Sequence, residues 1–397
     1  METRLPRGPV LDWSSFRTVD APRVASVQDL AHTAFTTSGR AAIYQALLQL
    51  QLPKGSGVLV PTYHCPTMVA PILLAGLTPC FFGLDGNGLP ALDTIADDDA
   101  ARSKAMLVSH YFGFARSLSA VRQWCDRHGI ALIEDCAHCL FGAAGDRPIG
   151  AWGDFATASL SKFLPMAEGG VLASARRPIA KLTLSRPGLK AQVKGWVDVL
   201  EPATLHGRLA GINTVLSFLL TLRRRPAGAV AAASTSSAPD ATSMMHDCDM
   251  ARVGQKPSWA SRLLNAVLPR SHIITRRRSN YAAYGRHFAG RTGARPLFAT
   301  DAAADLPVAP YVFPLWVDDA EPVYQAARTQ NLPVFRWDRT WPGTPVLPDD
   351  TGARWSRHVL QLLCHQDLSD ADITFTAQAI SDAIDAASGR RLACAAN

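Results

Sequence analysis

Lys162 and Asp135 are the side chains whose type and placement point to chemistry in this 397-residue chain. Each follows a short apolar run. The run 130–133 stops at Glu134 and Asp135, and the run 155–160 stops just before Lys162. Glu168-Gly169-Gly170 and a third apolar run, 171–173, follow. Runs of this length bounded by turn residues predict buried strands of an α/β sheet. In open parallel sheets, ligands sit just beyond the carboxyl ends of the strands. An acid and an amine at two such ends can therefore face one bound molecule. The pair suits pyridoxal phosphate, because a lysine can condense with its aldehyde and an aspartate can keep its pyridine nitrogen protonated. A structural ion pair beside a surface lysine is the plainer alternative, and on these two residues alone it is preferred.

The elements that must position this pair read as alternating strands and helices. Thr36-Thr37-Ser38-Gly39-Arg40-Ala41 precedes Ile43, Leu47 and Leu50 at helical spacing, with Ser38 placed to cap the helix. Such a start offers free backbone N–H groups to an anion, and Arg40 adds a charge there. A strand at 58–60 ends in Pro61-Thr62-Tyr63-His64-Cys65-Pro66, and a helix at 67–75 leads to a strand at 80–84. The polar stretch 85–104 reads as surface. A strand at 105–108 ends in Ser109-His110-Tyr111-Phe112-Gly113, and an amphipathic helix at 117–128 is closed by Gly129. This alternation predicts a doubly wound, mostly parallel sheet. The expected organisation is a lead-in segment at 1–30, a large α/β domain at 31–189 and an atypical middle segment at 190–269. A small α/β domain at 270–397 completes it, with a helix through Tyr281 and Tyr284 and a strand at 311–317. Arg336, Trp337, Arg339 and Trp341 form a cationic-aromatic cluster that suits a carboxylate or a sugar, or a folded surface loop.

Composition narrows the function classes. The net charge of +7 is modest, and part of it sits in the runs 223–225 and 276–278, which read as solvated faces. No nucleic-acid-binding motif accompanies them. Cys136 and Cys139 read as small core residues rather than a redox pair, and no metal-ligand spacing is found. The first residues lack an apolar signal core, so a reduced, cytoplasmic setting is expected. In the segment 205–225 the apolar part is too short to span a bilayer. With its terminal arginines it suits a helix lying on a membrane surface, or one packed on the small domain or a dimer partner. The Ala/Ser-rich stretch 227–242 reads as a mobile loop.

The motifs SGRAA, VPTYHCPT, SHYFG, IEDCAH, SLSK and EGG stand in one order over residues 33–175. In that order they closely resemble the DegT/StrS aminotransferases, pyridoxal-phosphate enzymes of fold type I that mostly aminate keto sugars carried on nucleotides. The resemblance resumes at RRRSNYAAYG and VLQLLCHQDLSDADI. It implies Lys162 as the lysine that carries the cofactor, Asp135 at the pyridine nitrogen, His138 near the ring hydroxyl and Ala137 beneath the ring. It puts Gly39, Arg40 and Ala41 in the phosphate-binding turn, with Thr157 or its rival Ser159 as a hydroxyl near the phosphate. Cys65 falls where the family places a stacking ring, with Tyr63 and His64 as neighbouring candidates. It further implies transfer of an amino group from an amino acid such as L-glutamate to a keto sugar, in polysaccharide or secondary-metabolite biosynthesis. A cofactor-binding relative without transaminase activity, acting as a regulatory or membrane-associated protein, is the alternative. The family works as a homodimer in which a loop Asn reaches the neighbour's cofactor phosphate. The corresponding stretch, 249–257, has no such Asn, and Arg252 and Lys256 are the candidates to replace it.

Overall fold

In the large sheet, alternate residues of each strand enter two different cores. Val58, Val60, Ala105, Leu107, Ile133, Phe155 and Leu172 belong to one. Leu59, Met106, Val108, Leu132, Ala156, Ala158, Val171 and Ala173 belong to the other. Burial on both faces explains why these strands read as continuous apolar runs. Each large aliphatic side chain so buried contributes about 1.5–3 kcal/mol. The structure, a computed structural model, describes residues 5–221, 240–298 and 308–395.

The chain runs β1 (His32–Thr36), α1 (Gly39–Leu50), β2 (Gly57–Pro61), α2 (Pro66–Leu74), β3 (Thr78–Phe82) and α3 (Asp97–Arg102). It continues through β4 (Ser103–Ser109), α4 (Ser119–His128) and β5 (Ala131–Asp135). A ribbon of β6 (Ala143–Ala144) and β7 (Arg147–Pro148) precedes β8 (Phe155–Ser159) and β9 (Gly170–Ser174). The seven-stranded sheet has the order β1-β9-β8-β5-β4-β2-β3. Pairing is parallel from β3 through β2, β4 and β5 to β8, and β9 runs antiparallel to both β8 and β1. The expected mostly parallel α/β sheet is present. Ser38 caps α1 by accepting the Ala41 N–H, and Gly129 ends α4 at φ +64°. β3 stops short of the expected end at 84, because the Gly83 and Leu84 N–H groups donate to the Thr94 hydroxyl and the Asp350 carboxylate instead.

The middle segment forms α5 (Leu189–Leu205), α6 (Asn213–Thr221), α7 (Ala241–Asp247) and α8 (Trp259–Val267). Gly195 lets α5 approach Ser258, whose hydroxyl a Cβ would meet at 2.6 Å. On α6, Leu216 packs on the core while Val215, Phe218 and Leu219 are exposed. Among the described residues no helix is long and apolar enough to cross a membrane. The arginines at 223–225 and most of the expected loop at 227–242 lie outside the described residues; Asp240 caps α7.

The C-terminal part comprises α9 (Arg270–Phe288), β10 (Ala294–Pro296), β11 (Val312–Val317), α10 (Ala320–Thr329) and β12 (Val334–Phe335). It ends with α11 (Thr351–His358), β13 (Val359–Leu363) and α12 (Asp370–Ala395). Its four-stranded sheet, β10-β11-β13-β12, is antiparallel. Tyr281, Tyr284 and Phe288 of α9 pack around Phe313.

The lead-in segment is a strap docked on the loop after β13. The Pro6 carbonyl lies 3.1 Å from His365 Nε2, and the Val10 N–H donates to Asp367 Oδ2 at 3.1 Å. Val10 and Leu11 are buried. Burial lifts the Asp367 carboxyl to about 7, against the Val10 N–H and the charges of Arg277 and Arg208. A free aspartate titrates near about 3.9. The folded chain therefore holds a proton that the unfolded chain releases between those values. The group's contribution is full at low pH and falls by about 1.4 kcal/mol per unit as pH rises toward 7, levelling above it. Asp367→Asn should flatten this part of the stability–pH profile in thermal melts. A profile identical to that of the unaltered chain would contradict the assignment.

Candidate functional site

β4, β5 and β8 end along one edge of the sheet, and a cavity of about 370 Å³ opens there against the start of α1. That volume is in the range of small-molecule sites. Ser109 and His110 follow the path of β4, Asp135, Ala137 and His138 that of β5, and Ser159, Ser161 and Lys162 that of β8. Thr37, Ser38, Gly39 and Arg40 enter from α1, and Cys65 and Thr67 from the start of α2. Glu168, Asp249, Arg252 and Trp337 complete much of the wall.

Asp135 ends β5 with its carboxylate buried. Its Oδ1 accepts the Ala137 N–H at 3.0 Å and its Oδ2 the Ser109 hydroxyl at 3.3 Å. Burial raises its pKa, while Lys162, the Ala137 N–H and Ser109 pull the other way. Lys162 closes a 3-10 turn, Leu160–Lys162, directly after β8, and its Nζ lies 5.1 Å over the Tyr311 ring. Burial lowers its pKa, opposed by Cys65 and Asp135, so more of the amine is neutral and nucleophilic than in water. His138 is buried and held well below the usual imidazole range by burial and by Lys162. Its Nδ1 accepts the Phe112 N–H at 3.3 Å, which puts the proton of the neutral ring on Nε2.

That contact depends on a strained turn. Phe112 has φ +60°, unusual for an aromatic residue. Its carbonyl accepts the Tyr311 N–H at 2.9 Å, while His138 stacks on Tyr311 with ring centroids 4.3 Å apart. Gly113 follows with φ +104°, and any Cβ there would collide with the Tyr311 backbone. The SHYFG motif thus joins the edge of the large sheet to the start of β11.

Close packing shapes the end of the cavity beside α1. A Cβ on Gly39 would press on Ser159 Cβ at 3.3 Å, and one on Gly170 would collide with the Ser38 carbonyl. Glycine at both positions lets the start of α1 lie against the ends of β8 and β9. Arg40 donates to the Asp249 carbonyl at 3.1 Å and to its carboxylate at 3.2 Å. Arg252 pairs with Glu168 at 2.5 Å, and Glu168 also accepts the Ser258 N–H at 2.6 Å.

The structure gathers Lys162, Asp135, Ala137, His138, Gly39, Arg40, Cys65 and Ser159 around one cavity. Ala41 and Thr157 are not in its wall. Ala41 is buried within α1, and Thr157 sits one strand repeat before Ser159, with its hydroxyl 3.5 Å from the Glu134 carbonyl. Of the stacking candidates only Cys65 reaches the cavity. Tyr63 is buried among Tyr111, Phe112, Trp337 and Trp355, and His64 Nε2 accepts the Trp341 N–H at 3.0 Å. Rings in the wall come from His110, His138 and Trp337. The 336–341 cluster is divided. Trp337 lines the cavity, Arg336 is tied to Glu321 and Asp338, Arg339 pairs with Asp247, and Trp341 is buried in the second core. Arg252 lines the cavity of its own chain; Lys256 is outside the wall, its N–H bonded to the Ser185 carbonyl.

Glu134 plays a different part from Asp135. Fully buried, it accepts the Trp152 and Gly153 N–H groups at 2.6 Å each and the Gly150 N–H at 3.2 Å, and it lies 3.0 Å from His110 Nε2. With Cys136 these groups could in principle surround a metal, but the carboxylate's acceptor sites are taken by hydrogen bonds.

Reading the charges along the sequence missed Arg277. Within the run expected to be solvated, it is fully buried. It donates to the carbonyls of Lys162 at 2.7 Å, Pro310 at 3.1 Å and Tyr311 at 3.2 Å, and to Gln366 Oε1 at 3.0 Å. Gln366 in turn donates to the Phe163 carbonyl at 2.9 Å. The signal was helical spacing: Arg277 shares a face of α9 with Ile273, Tyr281 and Tyr284. Arg277→Met should cost about 3 kcal/mol or more in guanidinium unfolding, because several buried acceptors lose their donor. Arg277→Lys should recover only part, since an ammonium cannot reproduce the planar fork. Wild-type stability in the Met variant would refute the clasp.

The chain is similar to several known proteins. Among curated relatives, GDP-perosamine synthase of Vibrio cholerae is 29% identical over 174 residues, covering 43% of this chain and 47% of that protein. UDP-N-acetyl-3-dehydro-alpha-D-glucosamine 3-aminotransferase of Acidithiobacillus ferrooxidans is 31% identical over 180 residues, covering 42% and 48%. The chain thus spans about half the length of the curated relatives it matches. Among solved structures, DesI with its TDP-sugar product superposes at TM-score 0.62 and 19% identity, covering 92% of this chain and 83% of that one. The aminotransferase TlmJ from Streptoalloteichus hindustanus gives 0.58 and 17%, covering 90% and 87%. At these identities the superpositions establish the fold. Residues 23–216, just under half of the chain, match the model of the DegT/DnrJ/EryC1/StrS aminotransferase family, and that segment contains Lys162, Asp135 and the α1 start.

Proposed function

We propose that the protein is a pyridoxal-phosphate-dependent aminotransferase. It moves an amino group from an amino acid, L-glutamate as the first candidate, to a keto sugar carried on a nucleotide, in polysaccharide or secondary-metabolite biosynthesis. The observation that carries this reading is the buried Asp135 carboxylate sharing one cavity with the desolvated Lys162 amine. The residues suit the cofactor by their chemistry: a carboxylate for a pyridine nitrogen, an amine for an aldehyde, and a glycine-lined helix start with Ser159 and Ser161 for a phosphate. Pyridoxal phosphate, when bound, supplies the aldehyde that exchanges amines and the ring that accepts electrons from the substrate carbon. Lys162 serves as nucleophile and then as the base that takes and returns the proton at that carbon. Asp135, buried and held by the Ala137 N–H and the Ser109 hydroxyl, would hold the proton on the ring nitrogen. His138, with its proton on Nε2, is a donor beside Lys162. The names of the curated relatives, which specify GDP- and UDP-linked or dTDP-linked sugars, support the acceptor class.

The assembly proposed is a homodimer. Leu189 and Val193 of α5 and Trp259, Leu263 and Val267 of α8 are exposed apolar side chains on two helices that pack together, a surface suited to a partner. Light scattering should give twice the chain mass of 42.7 kDa; a monomer that transaminates would refute it.

Borohydride reduction of the purified, yellow protein should fix the cofactor to the peptide containing Lys162. Label on another lysine would sink the assignment. L-Glutamate should bleach the yellow form with release of 2-oxoglutarate. Asp135→Asn should slow that step far more than it weakens cofactor retention, because the electron-accepting ring loses its fixed proton.

A further inference from the structure

Lys162 borders a second, smaller cavity. It measures about 90 Å³ and is bounded on one side by Arg7, Gly8 and Pro9 of the N-terminal strap. Ser161 and Lys162 line both this cavity and the main one, and the Lys162 Nζ lies 5.1 Å over the ring of Tyr311, which also lines the smaller cavity. Resting on the aminotransferase reading above, we propose that this cavity is a carboxylate subsite in which Arg7 holds the amino-acid donor.

Three observations carry the assignment. The first is charge: the wall contains Arg7, Arg277 and Lys162, with no aspartate or glutamate. His365, also in the wall, is kept neutral, its pKa lowered to about 3 by burial. The second is availability. Arg277 spends its donors on the carbonyls of Lys162, Pro310 and Tyr311 and on Gln366. Arg7, by contrast, is exposed and makes no hydrogen bond or ion pair with any described residue. The third is construction. Arg7-Gly8-Pro9 is an arch pinned at both feet, by the Pro6 carbonyl against His365 Nε2 and by the Val10 N–H on Asp367, each at 3.1 Å. Both contacts are buried, so the arch is held in place before a ligand arrives, and little entropy is lost in using it.

The chemistry follows from where the amine sits. An amino acid that delivers its nitrogen at Lys162 brings a carboxylate within a few bonds of that point. A guanidinium pairs with a carboxylate through two parallel hydrogen bonds, and this cavity offers no competing acid. Its volume admits a carboxylate and not a nucleotide, which separates it from any site for the keto acceptor. The anion-binding start of α1 lies in the main cavity, so a phosphate has its own place.

The test uses the holoenzyme with glutarate, a dicarboxylate that has no amine and cannot react. Calorimetry should show glutarate binding weakened about tenfold or more in Arg7→Gln, the range for losing one charge-assisted hydrogen bond. Arg7→Lys should recover part of the affinity. In the half-reaction with L-glutamate, Arg7→Gln should raise KM by a similar factor with a smaller effect on the limiting rate, and KM for the keto acceptor should not move. Unchanged glutarate binding and glutamate KM in Arg7→Gln, with a reactive wild type, overturn the subsite alone. A KM increase confined to the acceptor overturns its assignment to the donor. A wild type that neither binds glutarate nor reacts with glutamate overturns the aminotransferase reading, and the subsite falls with it.

Discussion

A buried guanidinium holds this site together. Arg277 is fully enclosed, and burial depresses its pKa, so enclosing its charge costs several kcal/mol that its contacts must offset. It offsets that cost with backbone carbonyls rather than a carboxylate partner. Those carbonyls belong to the turn that presents Lys162 and to the segment that presents the Tyr311 ring beneath Lys162. Asn280, one turn further along the same helix, donates to the Cys364 and His365 carbonyls at 3.4 and 2.9 Å. One face of α9 therefore fixes Lys162, the ring under it and the loop on which the N-terminal strap docks. The place of the amine is set as much by the smaller sheet as by the larger one that carries it.

Much of the large sheet is legible in the sequence because its determinants are local. Residues buried on both faces give unbroken apolar runs, and strand ends show as the first polar or turn residue after each run. Ser38 and Gly129 are cap residues at the positions where the chain needs a side-chain acceptor and a positive φ. The same logic puts Asp135 and Lys162 on one edge, since both follow strands of one parallel pairing, β5 beside β8. The pairing of motifs with strand ends is thus a consequence of periodicity and topology that a single chain displays.

What the sequence hides depends on partners distant along the chain. The run 276–278 looks uniformly charged, yet helical geometry turns only Arg277 inward, and that requires carbonyls near residues 162 and 310 as acceptors. Arg336 and Trp341 look like ligand-binding side chains beside Trp337, but Glu321 and the core under α2 claim them. Glu134 and Asp135 are neighbours with opposite uses, because alternate strand positions face opposite sides of the sheet: one holds a loop of N–H groups, the other faces the cavity. The lead-in segment has no periodicity to reveal that His365 and Asp367 pin it beside Lys162.

Charge balance in the main cavity accounts for the 249–253 segment. Its wall carries three cations, Arg40, Arg252 and Lys162, and three acids, Asp135, Glu168 and Asp249. The two arginines are already paired, Arg40 with Asp249 and Arg252 with Glu168, at the end where the start of α1 offers its N–H groups. Asp249 adopts φ +46°, a conformation that costs a non-glycine residue about 1 kcal/mol, and the two bonds from Arg40 are what offset it. The stretch that the family resemblance places across a subunit boundary thus lies against its own chain's cavity, held by ion pairs that need no neighbour. Besides those paired arginines, that end presents the first N–H groups of α1 and the hydroxyls of Ser159 and Ser161, which lie 3.5 Å apart. On the proposed reading, a phosphate there would be met by oriented dipoles rather than by an unpaired cation.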